Sequence, residues 1–209
     1  MLSLQRILGR PDEFFGLLER SAELSCEAAA ALNHTLSHPN EAPSLDAFAD
    51  ARRKDKAIIN QLEEMLGLVF VTPMEREDLE AVAQGLYAIP KAIEKFAERY
   101  QIVWDKVGDV DFTLGGRMLE SATQVVKDMV ACLRLQNGLG EIKSLDARLS
   151  QIEADASYVL MDATRRLIAP GTPALKAIIA KELFDILADG IEKCRDIGGT
   201  IALAVLKNS

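Results

Sequence analysis

Two histidines and three cysteines are all the imidazole and thiol groups that this chain of 209 residues contains. Structural zinc sites and disulfide frameworks need such residues in closely spaced pairs. Cys26, Cys132 and Cys194 are instead far apart, each among apolar neighbours, and read as buried free thiols of a reducing compartment. His34 and His38 stand one helical turn apart before Pro39, with no third ligand nearby, and read as helix-end residues. With both histidines committed there, no serine or cysteine has a base partner, which excludes triad-type nucleophilic catalysis. Gly108, Gly115, Gly116, Gly138 and Gly140 lack the spacing and the Lys-Ser ending of a phosphate loop, so nucleotide binding of that kind is excluded as well. An enzyme is not expected.

Long hydrophobic runs are missing too. No stretch reaches the roughly 18 uninterrupted apolar residues of a membrane span, and Met1 to Arg10 carry neither the apolar region nor the cleavage site of a signal peptide. The expected location is therefore cytoplasmic, with no direct membrane insertion. Nor is there a cationic excess. A net charge of -8 repels phosphate backbones, so nucleic acid is not expected as a partner. The basic runs Arg52-Arg53-Lys54 and Arg165-Arg166 sit among acids at helical spacing and read as solvated surface.

What the chain does have is 49% apolar residues, of which the aromatics are a small part (5% of the chain), and 27% charged residues. Cores built from Ala, Leu, Ile and Val suit closely packed helices. Apolar residues recur at spacings of three and four from Pro11 to Leu36, and Ser44 then reads as the N-cap of a second helix reaching Leu68. Thr72-Pro73-Met74-Glu75 reads as a capping box opening a third helix, with Pro90 inside it and a kink expected from Leu86 to Pro90. Beyond Gly108 to Gly116 the pattern restarts, with helices over Leu119–Leu135, Ile142–Ile168 and Pro173–Leu206.

The fold class is therefore all-α, with six long helices in two tandem, pseudo-symmetric three-helix bundles. A shift of 100 residues lays Ser44-Leu45-Asp46-Ala47 on Ser144-Leu145-Asp146-Ala147, and also pairs Gly16 with Gly116, Asp55 with Asp155 and Thr72-Pro73 with Thr172-Pro173. The halves implied are residues 1–108 and 109–209, packed as one unit. Apolar faces of this period can seal a bundle or a homo-oligomer alike, which leaves a homo-oligomer open.

The stretch Phe70-Val71-Thr72-Pro73-Met74-Glu75-Arg76-Glu77-Asp78-Leu79 resembles the F-x-T-P-x-x-R-E-D-I segment of PhoU-like proteins that accompany Pit-type phosphate permeases. The resemblance extends to Phe14-Phe15-x-Leu17-Leu18-Glu19 and to the closing stretch from Lys181 to Asn208, including Glu192 to Ile197. It implies a cytosolic regulator or accessory protein of inorganic phosphate transport, with a membrane phosphate permease as its protein partner.

It also implies paired carboxylates, one turn apart on several helices, holding a metal cluster. Those pairs here are Ala51/Asp55, Tyr87/Lys91, Gln151/Asp155 and Ala188/Glu192, each short of at least one acid. The expectation is a degraded site with no cofactor. The alternative is a reduced site that binds iron, zinc or another divalent metal weakly through Asp55, Asp155, Glu192 and Asp196. A third reading is a generic helical interaction module that has lost the transport role. Asp185, Asp189, Glu192 and Asp196 form an acidic stripe on the last helix, either a solvated flank or a surface for a partner or cation.

Overall fold

The computed structural model describes residues 11–135 and 138–207; the readings placed on Met1–Arg10 and Asn208 lie outside the described residues. Six long helices follow in order: α1 (Pro11–Ser37), α2 (Asp46–Leu68), α3 (Arg76–Val107), α4 (Thr113–Ala131), α5 (Leu139–Leu167) and α6 (Ala174–Lys207), with a 3-10 turn over Cys132–Arg134 after α4. The all-α expectation holds.

Local chemistry explains most of the ends. Asp12 and Glu13 sit in the first turn of α1, where the backbone N–H groups favour negative charge. At α2 the N-cap position is Leu45, without a side-chain capping bond, and not the expected Ser44, whose hydroxyl sits one residue earlier and accepts from the N–H of Asp46 at 3.2 Å in a local turn. The capping box expected at Thr72 does not form. Thr72 Oγ1 instead donates to the Met74 carbonyl at 2.7 Å, and α3 begins only at Arg76. Met74 is buried, so this turn is pinned by an apolar anchor and not by helix capping. α3 is continuous across Pro90, which is itself buried.

Helix α1 packs on α2, α3 and α4, and α6 packs on α3, α4 and α5. Helices α1, α3, α4 and α6 therefore form a central bundle, with α2 laid against α1 and α3 and with α5 against α4 and α6. Exchanging the first three helices for the last three leaves these pairings unchanged. One continuous apolar core runs through all six.

Burial also corrects the register of the repeat. The buried positions coincide at a shift of 101, not 100: Phe48 with Leu149, Asp55 with Ala156 and Ile59 with Leu160 on α2 and α5. The same shift pairs Leu18 with Leu119 and Ala28 with Met129 on α1 and α4, and Leu86 with Leu187, Ile93 with Cys194 and Tyr100 with Ile201 on α3 and α6. One residue is about 100° of helix rotation, so a slip of one turns every side chain to another face. Ser44-Leu45-Asp46-Ala47 opens α2, whereas its sequence match Ser144-Leu145-Asp146-Ala147 lies inside α5.

Across the interface between the halves, α3 approaches α6 closely at Gly85. A Cβ placed there would lie 2.5 Å from Ile197 Cδ1 and 3.2 Å from Ile197 Cβ, and Ile197 is buried. Alanine would improve helix propensity by about 1 kcal/mol, but overpacking a fixed core costs about 1–3 kcal/mol. Gly85→Ala is therefore expected to destabilise the fold by a net ~1 kcal/mol, read as a lower urea midpoint at unchanged slope. A raised midpoint would mean that α3 and α6 separate without cost.

Candidate functional site

The four residues named as metal ligands are not brought together. Asp55 is fully buried on α2, and its Oδ1 accepts from Ser21 Oγ of α1 at 2.6 Å. Asp155 is exposed, and its Oδ1 accepts from Gln151 Nε2 at 2.8 Å. Its direction follows from the corrected register: Ala156, not Asp155, takes the place of Asp55 in the second half. Glu192 and Asp196 are exposed on α6, and Asp196 lies 3.8 Å from Lys193. In the acidic stripe the neighbouring Asp189 meets Lys193 at 3.6 Å and Asp185 meets Lys181 at 2.5 Å, so lysines of the same helix partly neutralise it.

Among the described residues no three His, Cys, Asp or Glu side chains converge to hold a metal ion. A cluster of the kind the resemblance implies does not fit these side chains. Nor do the remaining nucleophiles offer chemistry: burial raises the thiol pKa of Cys26, Cys132 and Cys194, so none is a reactive thiolate near neutral pH. The His34 and His38 rings stack at 4.4 Å, with His38 Nδ1 2.8 Å from the His34 carbonyl at the end of α1.

Near Asp55 the structure assembles a group of polar side chains that the sequence reading missed. Arg52, taken above as solvated surface, is mostly buried between α2 and α3. Its Nε donates to Glu94 Oε2 at 3.1 Å and its Nη2 donates to the Tyr87 hydroxyl at 2.8 Å. The guanidinium also lies over the Tyr87 ring, 4.1 Å from its centroid. Lys91, one turn beyond Tyr87 on the same helix, is exposed. Burial pushes the Asp55 carboxyl pKa up, opposed by the Ser21 hydrogen bond and by the charge of Arg52. Asp55 Oδ2 and Arg52 Nη1 are buried without a hydrogen-bond partner. The signal available beforehand was spacing: Arg52 and Asp55 at i and i+3, Tyr87 and Glu94 at i and i+7, place each pair on one helix face.

At the far end of α2 lies a second feature. Arg76 donates through Nη1 to the Leu66 carbonyl and through Nη2 to the Val69 carbonyl, closing the C-terminus of α2 from the start of α3. Lys207 Nζ donates to Asp78 Oδ1 at 2.8 Å and Glu75 Oε2 at 3.2 Å, tying the end of α6 to the same place. Thr72 braces the turn, and Met74 and Leu79 are core. The segment Phe70–Leu79 is thus largely architectural. Its first residue is the exception, for Phe70 is 84% exposed, flanked by Leu68 at 77% and Val71 at 55%. Glu63, Glu64, Glu75 and Glu77 are exposed on the helix turns on either side of this loop.

No protein-family model matches the chain. The UPF0111 protein YkaA of Bacillus subtilis (strain 168) is 21% identical over 171 residues, covering 79% of this chain and 82% of that protein. Two crystal structures from Shewanella oneidensis MR-1 share the architecture: a putative PhoU-like phosphate regulatory protein at a TM-score of 0.70 and a PhoU-like protein at 0.71. Each is 13% identical, with 93% of this chain and 99% of that one superposed. The six helices therefore adopt the PhoU-like fold along almost their whole length.

Proposed function

We propose that this chain is a cytoplasmic PhoU-like accessory protein that regulates inorganic phosphate transport by binding a Pit-type permease, without chemistry of its own. The observation that carries the reading is the near full-length match of its six helices to PhoU-like proteins, one of which is described as a phosphate regulatory protein. The segment from Phe70 to Leu79 adds the resemblance to proteins that accompany Pit-type permeases. No helix among the described residues is long and apolar enough to cross a membrane, so the contact is made from the permease's aqueous face.

The contact surface in this reading is the loop of Leu68, Phe70 and Val71. Its backbone is held by Arg76 and Thr72, so the apolar side chains are presented on a fixed support. Glutamates flank it, and the chain as a whole carries a charge of -8. Cytoplasmic loops of membrane proteins carry an excess of Lys and Arg, which matches an acidic surface with an apolar centre.

The experiment is affinity capture of the permease from detergent extracts by the tagged chain, together with phosphate uptake in a strain lacking it. Capture with altered uptake is expected. Absence of capture with unchanged uptake would overturn the proposal.

A further inference from the structure

We propose that this chain self-associates head to tail, the α2–α3 loop of one copy seating on the α5–α6 turn of the next. The inference does not rest on the permease reading, and its test contains no permease.

The two turns lie at opposite ends of the molecule. Lys207 at the end of α6 meets Glu75 and Asp78 at the start of α3, whereas Lys176 at the start of α6 meets Asp109 just after α3. Helices α3 and α6 are thus antiparallel, and the 32 residues of α3 alone span roughly 48 Å. The α5–α6 turn is as firmly built as the α2–α3 loop. The Ile168 and Ala169 N–H groups donate to the Arg165 and Arg166 carbonyls at 3.2 Å, the Thr172 N–H donates to the Ala169 carbonyl at 3.3 Å, and Gly171 supplies a φ of +99°. Ile168, Leu175 and Ile178 are largely exposed there. Leu175 and Ile178 fall opposite the face that α6 buries at Ala180 and Leu183, so the core has no use for them. Each end therefore presents three apolar side chains on a fixed turn.

Charge decides which ends pair. Arg165 and Arg166 close the last turn of α5; Arg166 meets Asp162, while Arg165 is exposed, donates to the Met161 sulfur at 3.6 Å and has no carboxylate partner among the described residues. At the other end Glu63, Glu64 and Glu77 are exposed, with no cationic partner among the described residues. Two copies meeting through their α2–α3 loops would set these glutamates against each other, and two meeting through their α5–α6 turns would do the same to the arginines. The head-to-tail pairing alone joins apolar to apolar and base to acid. Such a contact is heterologous, and because its two surfaces lie at opposite ends, the assembly grows past two copies.

The test is sedimentation velocity of the purified full chain from micromolar to near-millimolar concentration. Leu68→Glu with Phe70→Glu disables one end, and Leu175→Glu with Ile178→Glu disables the other. All four side chains are exposed, and glutamate in the first turns of α6 suits the helix dipole, so both variants are expected to fold. The average mass of wild type is expected to rise with concentration beyond that of a dimer, and to fall when NaCl is raised. Each variant alone is expected to stay monomeric. Their equimolar mixture is expected to form a heterodimer and nothing larger, since each variant contributes one intact end. Arg165→Glu, a charge reversal at an exposed position, is expected to weaken the association constant about tenfold, and it tests the contact even where a double variant fails to fold. A wild type that is monomeric throughout or stops at a dimer would overturn the proposal. So would either double variant self-associating as wild type does, or a mixture of the two that stays monomeric.

Discussion

Phe70→Glu combined with Leu68→Glu should abolish permease capture while leaving the melting temperature within about 2 °C of wild type. Both side chains are largely in water, at 84% and 77% exposure, so replacing them removes little folded-state packing. Binding is another matter. An aromatic side chain that becomes buried at the centre of an interface typically accounts for 2 kcal/mol or more, about a 30-fold loss of affinity for one residue. Adding two negative charges to a loop already flanked by Glu63, Glu64, Glu75 and Glu77 leaves a desolvated carboxylate wherever the apolar contact had been. A loss of about 100-fold or more is expected for the pair. Phe70→Tyr, which keeps the ring, should retain capture. If the double glutamate variant binds the permease as wild type does, the contact lies elsewhere on the molecule.

The second large effect concerns the support of that loop. Arg76→Ala removes a charged donor from the Leu66 and Val69 carbonyls, which then face the start of α3 without it. Hydrogen bonds to charged groups contribute about 1.5–3 kcal/mol each. Allowing for partial replacement by water, a loss of about 2–4 kcal/mol is expected, or roughly 5–12 °C in Tm for a chain of this size. Amide exchange should speed up locally, from the last turn of α2 to the first turn of α3. Arg76→Lys reaches one carbonyl at a time and should fall between the two. Capture should weaken in Arg76→Ala as well, by loss of the preformed loop conformation, although Leu68 and Phe70 are intact. Unchanged exchange in that segment would show that the guanidinium is not what holds it.

The helices were legible because each carries an apolar stripe of the right period bounded by turn chemistry, as with Ser44 before α2 and Gly108 after α3. The start of α3 was misplaced by three residues because Thr72-Pro73-Met74-Glu75 has the letters of a capping box; burial of Met74 favours a different turn. The repeat was legible, but its register was not. Four consecutive identical letters outweighed the face on which they fall, and only solvent exposure distinguishes Asp155 from Ala156. Arg52 was misjudged for a related reason. Its own helix shows it beside Arg53 and Lys54, while the groups that hold it, Tyr87 and Glu94, belong to a helix that tertiary packing brings alongside. The long apolar stem of arginine suits it to such partly buried sites. Exposure of Phe70 was likewise invisible, since Leu79 a few residues on is wholly buried.

The pairing of α1 with α4 and of α3 with α6 has a consequence in terms of symmetry. Each of these contacts joins a helix to its own counterpart, which is the arrangement of an isologous dimer. Two separate copies of one three-helix unit meeting in this way would be bound to carry every feature twice. Joined in a single chain, the units are free of that constraint, and the contacts of Ser21 with Asp55 and of Arg52 with Tyr87 and Glu94 exist once, opposite a half in which apolar or oppositely charged residues hold the same positions. The two halves, alike in backbone, are therefore chemically inequivalent at matching positions.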